Sequence, residues 1–279
     1  MSEKLDAHIH LFEKGFGGSF TSRPGVEISE PECFESLMAD YGVAGALVVG
    51  YAGDPWCAAN NHFLRNVVRE RPWVHPVAYH DPAAPLSPGE LDAFRDDGFV
   101  GLSLYIFESG DVEGLRAIPD ECWRWLVDHR ALISVNSKGE TWQEWRPILD
   151  RNPELHVLLS HLGLPAQVAA PPADAAEKMN DVLDLAAYPG PRVKLSGFYA
   201  ISEPGHDYPH AAAWPYVEAL KEAYGTGRLL WASDFAPCLD SITYPQTMDL
   251  FAKMPFFNDE DRERILGRNL GELLAHCKP

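Results

Sequence analysis

Eight short apolar runs recur along the chain at steps of roughly 25 to 40 residues, and this spacing restricts the fold more than any other feature. Most of the runs are continuously apolar and do not alternate, which is typical of parallel strands that helices cover on both faces. Strands are therefore expected at 5–10, 45–50, 74–80, 99–106, 131–137, 155–161, 192–198 and 228–235.

Segments with helical periodicity and capping residues separate these runs. Ser29 stands at an N-cap position and Gly42 at the matching helix end, and the segment 87–98 repeats this arrangement. Pro147 predicts a kink, or a break into two short pieces, in its own segment. Helices are expected at 29–42, 87–98, 119–130, 141–153, 172–189, 214–225, 244–255 and 258–277.

The order of these segments predicts the fold class. Eight strands with intervening helices indicate one domain over residues 1–279, a single (β/α)8 TIM barrel of the α/β class. An open doubly wound sheet is the alternative. It is disfavoured because no Gly-x-Gly-x-x-Gly follows the first run, which ends in histidines instead.

Composition excludes some partners. The formal net charge of -18 repels phosphate backbones, so nucleic acid is not an expected partner. The five cysteines are odd in number and widely spaced, which favours a reducing compartment over a disulfide framework. The sequence has no apolar leader and no apolar run long enough to span a membrane. A cytoplasmic protein without a membrane partner is therefore expected.

Polar residues gather where the runs end, and in a barrel of this kind the chemistry lies at the carboxyl ends of the strands. Strict alternation places Asp6, His8 and His10 on one face of the first run. Two imidazoles at this spacing can converge on one ion or one substrate atom. The other run ends supply Tyr51, His80, Tyr105, Glu108, Asn136, Lys138, His161, Lys194, Ser196 and Asp234.

Five segments resemble the amidohydrolase superfamily, in its amidohydrolase-related (amidohydrolase 2) branch. They are LDAHIHLF (5–12), LHVLLSHLGLP (155–165), RVKLSGFY (192–199), RLLWASDFAP (228–237) and ERILGRNLGELL (263–274). The branch includes sugar lactonases, 2-pyrone-4,6-dicarboxylate lactonase and metal-dependent decarboxylases. The Lys-Leu-Ser-Gly and His-Leu-Gly-Leu-Pro segments are most similar to the lactonases. The resemblance implies a hydrolase that opens a lactone or a related cyclic ester or amide.

The resemblance also implies roles for four residues. His8 and His10 would be the pair that often holds a divalent metal, and His161 would orient or polarise the substrate carbonyl. Asp234 would take the proton from the attacking water and, in metal-bound members, would also contact the metal. Hydrolysis requires such a base within reach of water and a positive group at the developing oxyanion.

One position departs from the family pattern. Metal-binding members commonly carry a histidine at the end of strand five, where this chain has Asn136, a weaker zinc ligand. His8, His10 and Asp234 then form the expected metal site, with His161 or water completing it. The pyrone lactonase relatives work without metal. Two cofactor states therefore stay open: one divalent ion, with zinc as the first choice, or no metal.

Three cations lie near the expected mouth of an otherwise acidic protein. Capture of an anion requires such a local exception to the net charge. The substrate is therefore expected to be a small molecule with a carboxylate or several hydroxyls. The sequence does not fix whether the chain forms a homo-oligomer. The candidate substrate-binding residues are Lys194, Lys138, Arg23, Tyr105 and Asn136.

Two other functions compete with the lactonase. A decarboxylase of an aromatic or unsaturated acid would use the same barrel, but it depends on a bound metal, and Asn136 counts against it. A non-catalytic binding barrel should have lost the acid on strand eight, whereas Asp234 is present. Asp234 could also simply cap the helix that follows. The lactone hydrolase is the leading hypothesis.

Overall fold

A computed structural model, which describes residues 3–17 and 28–277, contains one sheet of eight parallel strands that follow one another in sequence order. This arrangement confirms the predicted (β/α)8 barrel. The strands are β1 (Lys4–Ile9), β2 (Val43–Val49), β3 (Val74–Tyr79), β4 (Gly101–Ile106), β5 (Leu132–Ser137), β6 (His156–Leu159), β7 (Arg192–Leu195) and β8 (Leu229–Trp231).

Helices connect the strands around the outside of the barrel. Within the described ranges, none of them combines the length and the apolar character required to cross a bilayer. The helices are α1 (Glu30–Tyr41), α2 (Asn60–Glu70), α3 (Pro88–Asp96), α4 (Ser109–Ala117), α5 (Asp120–Asp128), α6 (Arg146–Arg151), α7 (Ala175–Lys178), α8 (Asn180–Leu183), α9 (Phe198–Ile201), α10 (Trp214–Tyr224), α11 (Gln246–Lys253), α12 (Asp259–Glu263) and α13 (Asn269–Leu274).

The helical segments differ from the predicted ones in two ways. Helices α2, α4 and α9 are additional, and none of them begins at a serine, threonine or asparagine cap that would mark its start in the sequence. The segment expected at 172–189 is broken into α7, α8 and a short 3-10 turn. The break near Pro147 is present as expected, because a 3-10 segment precedes α6 there.

The strands are buried on both faces, as continuous apolar runs require. Residues such as Val48, Leu104 and Val135 belong to the large cluster between the sheet and the helices. A smaller cluster includes Leu47 and Leu132, and it contacts α13. The barrel is therefore a packed core, and only its ends are available for a site.

The barrel closes between β1 and β8 through a buried carboxylate. Asp6 accepts hydrogen bonds from the backbone N–H groups of His8 (3.2 Å) and Ser233 (2.9 Å) and from the hydroxyl of Tyr244 (3.2 Å). The β1–β2 register shifts between Asp6 and Ile9, so β1 does not alternate strictly. The Asp6 carboxylate thus joins β1 to the segment after β8, and its hydrogen bonds go to backbone groups and to Tyr244, not to the rings of His8 and His10.

Candidate active site

Three reactive side chains meet at the carboxyl ends of β1 and β8. The Nε2 atoms of His8 and His10 lie 3.0 Å apart. The Oδ1 atom of Asp234 lies 3.6 Å from the first nitrogen and 3.7 Å from the second. All three residues are buried. Two imidazole nitrogens and one carboxylate oxygen therefore form a compact triangle.

His161 joins this group from the end of β6. Its Nδ1 lies 4.0 Å from Asp234 Oδ2, and its ring centroid lies 4.9 Å from that of His8. The Oγ atom of Ser196 lies 2.9 Å from the same Nδ1. The structure thus brings together all four residues for which the resemblance implied roles, from three strands that are distant in sequence.

The backbone is unusual at two of these residues. His161 has φ 54° and Asp234 has φ 62°, in the left-handed region that non-glycine residues seldom adopt. Gly197 leaves room for the His161 ring, because a Cβ at position 197 would lie only 2.7 Å from His161 Nδ1. Such conformations cluster at functional sites, where the surrounding structure holds them in place.

Hydrogen bonds behind the histidines decide which nitrogen faces the site. His10 Nδ1 lies 2.8 Å from the carbonyl oxygen of Val49, so Nδ1 donates and Nε2 keeps its lone pair. His8 Nδ1 lies 3.3 Å from both Ser160 Oγ and Lys194 Nζ. His8 Nε2 keeps its lone pair when Nδ1 donates to the serine, and it carries the hydrogen and faces His10 Nε2 as a donor when Nδ1 accepts from the lysine amine. A carbonyl or hydroxyl behind each ring is the usual support of a metal-binding histidine.

The donor atoms fit a single metal ion. Ligand atoms placed tetrahedrally at zinc bond lengths of about 2.0 to 2.2 Å lie about 3.3 to 3.6 Å from one another. The separations of 3.0, 3.6 and 3.7 Å among His8, His10 and Asp234 bracket this range. A second triad replaces His10 with His161, and its donor atoms all lie within 4.8 Å of one another. Both triads share His8 and Asp234.

Burial keeps the three histidines neutral. It lowers the pKa of His8 well below its ordinary value of 6.5, with nearby Lys194 acting in the same direction. It also lowers the pKa of His10 and of His161, although the Asp234 carboxylate opposes the change in both rings. Neutral imidazoles are the form that binds a metal ion or accepts a proton.

Lys194 lies beneath the site. Its side chain is fully buried, and Nζ contacts His8 Nδ1 at 3.3 Å and Ser134 Oγ at 2.6 Å. Burial lowers its pKa to about 7, against the opposing effect of the Asp234 and Asp6 carboxylates. Its amine therefore contacts His8 and Ser134, and its expected role in substrate binding stays a prediction.

Aromatic side chains line the other half of the mouth, at the ends of β2, β3 and β4. The ring of Tyr105 lies 4.7 Å from that of Tyr51 and 6.1 Å from that of Tyr79. Tyr105 also shares a hydrogen bond with Asn136. The Oδ1 atom of Asn136 is buried without a partner among the described residues. This half offers rings and neutral polar groups.

The remaining expected residues lie farther from the histidines. Lys138 is exposed, with Nζ 5.7 Å from the Phe107 ring centroid. Glu108 caps α4 and exchanges hydrogen bonds with Asp111. His80 is buried after β3. Arg23 lies outside the described residues.

Tyr199 is a site residue that the sequence analysis did not single out. Its hydroxyl donates a hydrogen bond to Asp234 Oδ2. The segment 192–199 resembles the amidohydrolases, but a tyrosine beside apolar residues indicates a packing role. Ser160 was missed for a related reason, since a serine next to a histidine carries no signal of its own.

Comparisons with known proteins agree with this fold. The family model described as Amidohydrolase matches residues 5–274. An L-fucono-1,5-lactonase of Burkholderia ambifaria is 24% identical over 245 residues, which cover 84% of this chain and 81% of the relative. A Burkholderia multivorans amidohydrolase structure with bound zinc has a TM-score of 0.81, 18% identity and full coverage of both chains. A probable 2-pyrone-4,6-dicarboxylic acid hydrolase from Acinetobacter baumannii, with citric acid bound, has a TM-score of 0.73 and 18% identity, and the match covers 98% of this chain and 100% of that one.

The family match settles the class of protein. It spans nearly the whole chain, and it includes the first-strand histidines, His161 and Asp234. It confirms the resemblance drawn from the sequence and the expectation of a hydrolytic enzyme. The chain belongs to the amidohydrolase family.

Proposed function

We propose that the protein opens a lactone ring by attack of water on the carbonyl carbon. The observation that carries this proposal is the placement of Asp234, whose Oδ1 lies 3.6 and 3.7 Å from the Nε2 atoms of His8 and His10. A carboxylate beside neutral imidazoles offers a proton acceptor and metal-binding nitrogens in one place. The similarity to an L-fucono-1,5-lactonase supports a sugar lactone as the substrate.

Asp234 is the general base in this proposal. It takes a proton from water while the water oxygen bonds to the carbonyl carbon. It returns that proton to the ring oxygen when the carbon–oxygen bond of the ring breaks. One water is consumed and the product is a hydroxy acid, so no other reactant is required.

His161 polarises the carbonyl in this proposal. Ser196 Oγ lies 3.3 Å from the backbone nitrogen of His161 and 2.9 Å from its Nδ1. One hydroxyl serves both groups if its oxygen accepts the backbone N–H and its hydrogen goes to Nδ1. Nε2 then carries the imidazole hydrogen and can donate it to the developing oxyanion.

His8, His10 and Asp234 would hold one divalent ion, with zinc as the first choice. When bound, such an ion supplies Lewis-acid polarisation of a carbonyl and makes water a stronger nucleophile. The protein holds the donor atoms ready, because Val49 orients His10 and Ser160 lies behind His8. The roles of Asp234 and His161 are the same with or without the ion.

Tyr105 and Asn136 would bind the ring of the substrate. The tyrosine offers an aromatic face and a hydroxyl, and the buried Oδ1 of Asn136 can accept a hydrogen bond from a hydroxyl of the substrate. Lys138, and Arg23 outside the described residues, would attract a carboxylate if the substrate carries one. Lys194 would act indirectly, through its contact with His8.

The test is a substrate screen of the purified protein, with and without added Zn²⁺. The panel contains 1,4- and 1,5-lactones of sugar acids, 2-pyrone-4,6-dicarboxylate and aromatic carboxylic acids. Release of acid and release of carbon dioxide are both recorded. Asp234→Asn protein, prepared in the same way, is the matched control for contaminating activity.

We expect acid release from at least one lactone by the wild type, no carbon dioxide, and little activity in the control. Carbon dioxide from an aromatic acid would contradict the proposal in favour of a decarboxylase. Failure to open any lactone would leave a binding barrel as the better account.

A further inference from the structure

The two oxygens of the Asp234 carboxylate lie in different surroundings. Oδ1 faces the Nε2 atoms of His8 and His10, at 3.6 and 3.7 Å. Oδ2 accepts the hydrogen bond of the Tyr199 hydroxyl and lies 4.0 Å from His161 Nδ1. The Asp carboxylate can rotate about its Cβ–Cγ bond. A hydrogen bond to one of its oxygens fixes the direction in which the other oxygen faces.

Tyr199 reaches Asp234 from the neighbouring strand connection. It lies on α9, which begins directly after β7 and Gly197. A hydrogen bond from a hydroxyl to a carboxylate is of the charge-assisted kind, which is shorter and stronger than one between neutral groups. The contact joins residues 35 positions apart, so the fold creates it and local chain geometry does not.

The same short segment also holds the other reactive residue. Ser196 bonds to Nδ1 and to the backbone N–H of His161, and Gly197 leaves room for that ring. The residues after β7 thus contact the reactive side chains on both neighbouring strands, His161 on one side and Asp234 on the other. One segment orients two groups that must act on the same substrate.

We infer that Tyr199 is a positioning residue for Asp234, whose hydroxyl holds Oδ2 so that Oδ1 faces the histidine pair. Tyr199 acts through the carboxylate and need not contact the substrate. Partners of this kind, which orient a reactive or metal-binding group, typically change activity by about 10- to 100-fold when removed. A tyrosine that merely fills space beside the site would lose nothing with its hydroxyl.

The test is Tyr199→Phe, which removes only the hydroxyl. The matched control is Tyr224→Phe, because the Tyr224 hydroxyl likewise donates a hydrogen bond, to the carbonyl of Val182 at 2.6 Å, away from the site. We expect kcat on the best lactone to fall about 10- to 100-fold in Tyr199→Phe, with KM within about threefold of the wild type. The control should keep both constants. A rise in KM at unchanged kcat would make Tyr199 a substrate-binding residue and overturn the inference.

The second readout is a pair of crystal structures, wild type and Tyr199→Phe, and it needs no turnover. We expect the Asp234 carboxylate to turn in the variant, so that the separations of Oδ1 from the two Nε2 atoms change. An unturned carboxylate overturns the inference even if kcat falls, because the effect then does not pass through orientation. If the wild type opens no lactone, the proposed function fails, and the crystal comparison alone decides the role of Tyr199.

Discussion

The two halves of the barrel mouth differ in chemistry. The half we call the reactive side consists of His8, His10, His161 and Asp234, at the ends of β1, β6 and β8. The half we call the aromatic side consists of Tyr51, Tyr79, Tyr105, Asn136 and Lys138, at the ends of β2 to β5. The first half gathers three imidazoles and a carboxylate, whereas rings and neutral hydrogen-bonding groups dominate the second.

The halves also differ in how firmly their polar groups are held. On the reactive side, His10 is held by Val49, His161 by Ser196 and Asp234 by Tyr199. On the aromatic side, Tyr105 packs against other rings and shares a hydrogen bond with Asn136, whose Oδ1 has no partner among the described residues. Fixed groups suit catalysis, whereas unpaired groups can be satisfied by a substrate. We therefore assign the chemistry to the reactive side and recognition to the aromatic side.

The largest effect is expected at the base. Asp234→Asn keeps the shape and removes the proton acceptor, so kcat should fall by about 10²- to 10⁴-fold. If Asp234 also binds a metal, the metal content should fall with it. Turnover, melting temperature and metal content are measured on the same preparation. A helix cap would instead lose about 1 kcal/mol of stability and leave turnover nearly unchanged, which would remove Asp234 from the mechanism.

The sequence located the reactive side because its signals are local. His8 and His10 stand two residues apart on one strand, and Asp234 follows an apolar run. The apolar pattern did not mark the end of β8, which was expected to reach 235 and ends at Trp231. Ala232 and Phe235 continue the apolar run, but the chain turns at Asp234. The apolar pattern indicates which residues are buried, and a turn between buried residues does not change that pattern.

Depth inside the barrel was harder to infer. Lys194 precedes Ser196 by one strand repeat, so it lies about 7 Å deeper on the same face. That distance separates a residue at the mouth from one beneath it. Tyr199 could not be predicted as a partner of Asp234, because their contact depends on how the connection after β7 folds back. A single residue whose role arises only from tertiary packing leaves no recognisable pattern in the sequence.

The second largest effect is expected when the pH is lowered, because the histidines of the reactive side are then protonated and kcat/KM falls. Burial lowers the pKa of His8, His10 and His161 below 6.5, so each ring is protonated at a lower pH than a free imidazole. Apart from the change that protonation of Lys194 near pH 7 produces through its contact with His8, we expect kcat/KM to be level from pH 8 to 6.5 and then to decline by about tenfold per pH unit once one essential histidine is protonated. A pH–rate profile checks this. A decline of tenfold per pH unit that starts above pH 6.5 would contradict the neutral, buried histidines.

A smaller effect, in KM, is expected on the aromatic side. Tyr105→Phe keeps the ring and removes one hydrogen bond, which is worth about 0.5 to 1.5 kcal/mol. KM for a hydroxylated lactone should rise by about 2- to 10-fold with kcat nearly unchanged. An unsubstituted lactone of the same ring size, which lacks the hydroxyls, should show no change. A large loss of kcat would give Tyr105 a role in the chemistry and would contradict the division of the mouth into a catalytic half and a recognition half.

The smallest effect is expected at the exposed cation. Lys138→Met should raise KM by no more than about fivefold, and only for a substrate that carries a carboxylate, because exposed charge pairs contribute about 1 kcal/mol or less. Lys178→Met, which removes another partly exposed lysine on α7, is the matched control. Arg23→Met extends the test to a cation outside the described residues. Unchanged KM in Lys138→Met and in Arg23→Met would indicate that the protein recognises the hydroxyls of the substrate and not a carboxylate.

The central claim is that water attacks the lactone carbonyl on the reactive side. It is tested most directly by a single turnover in H2¹⁸O, with the product analysed by mass spectrometry and fragmentation. The account expects one ¹⁸O atom in the carboxylate of the hydroxy acid and none in its new hydroxyl, with no carbon dioxide released. Label in the hydroxyl, or loss of the carboxyl carbon as carbon dioxide, would contradict it.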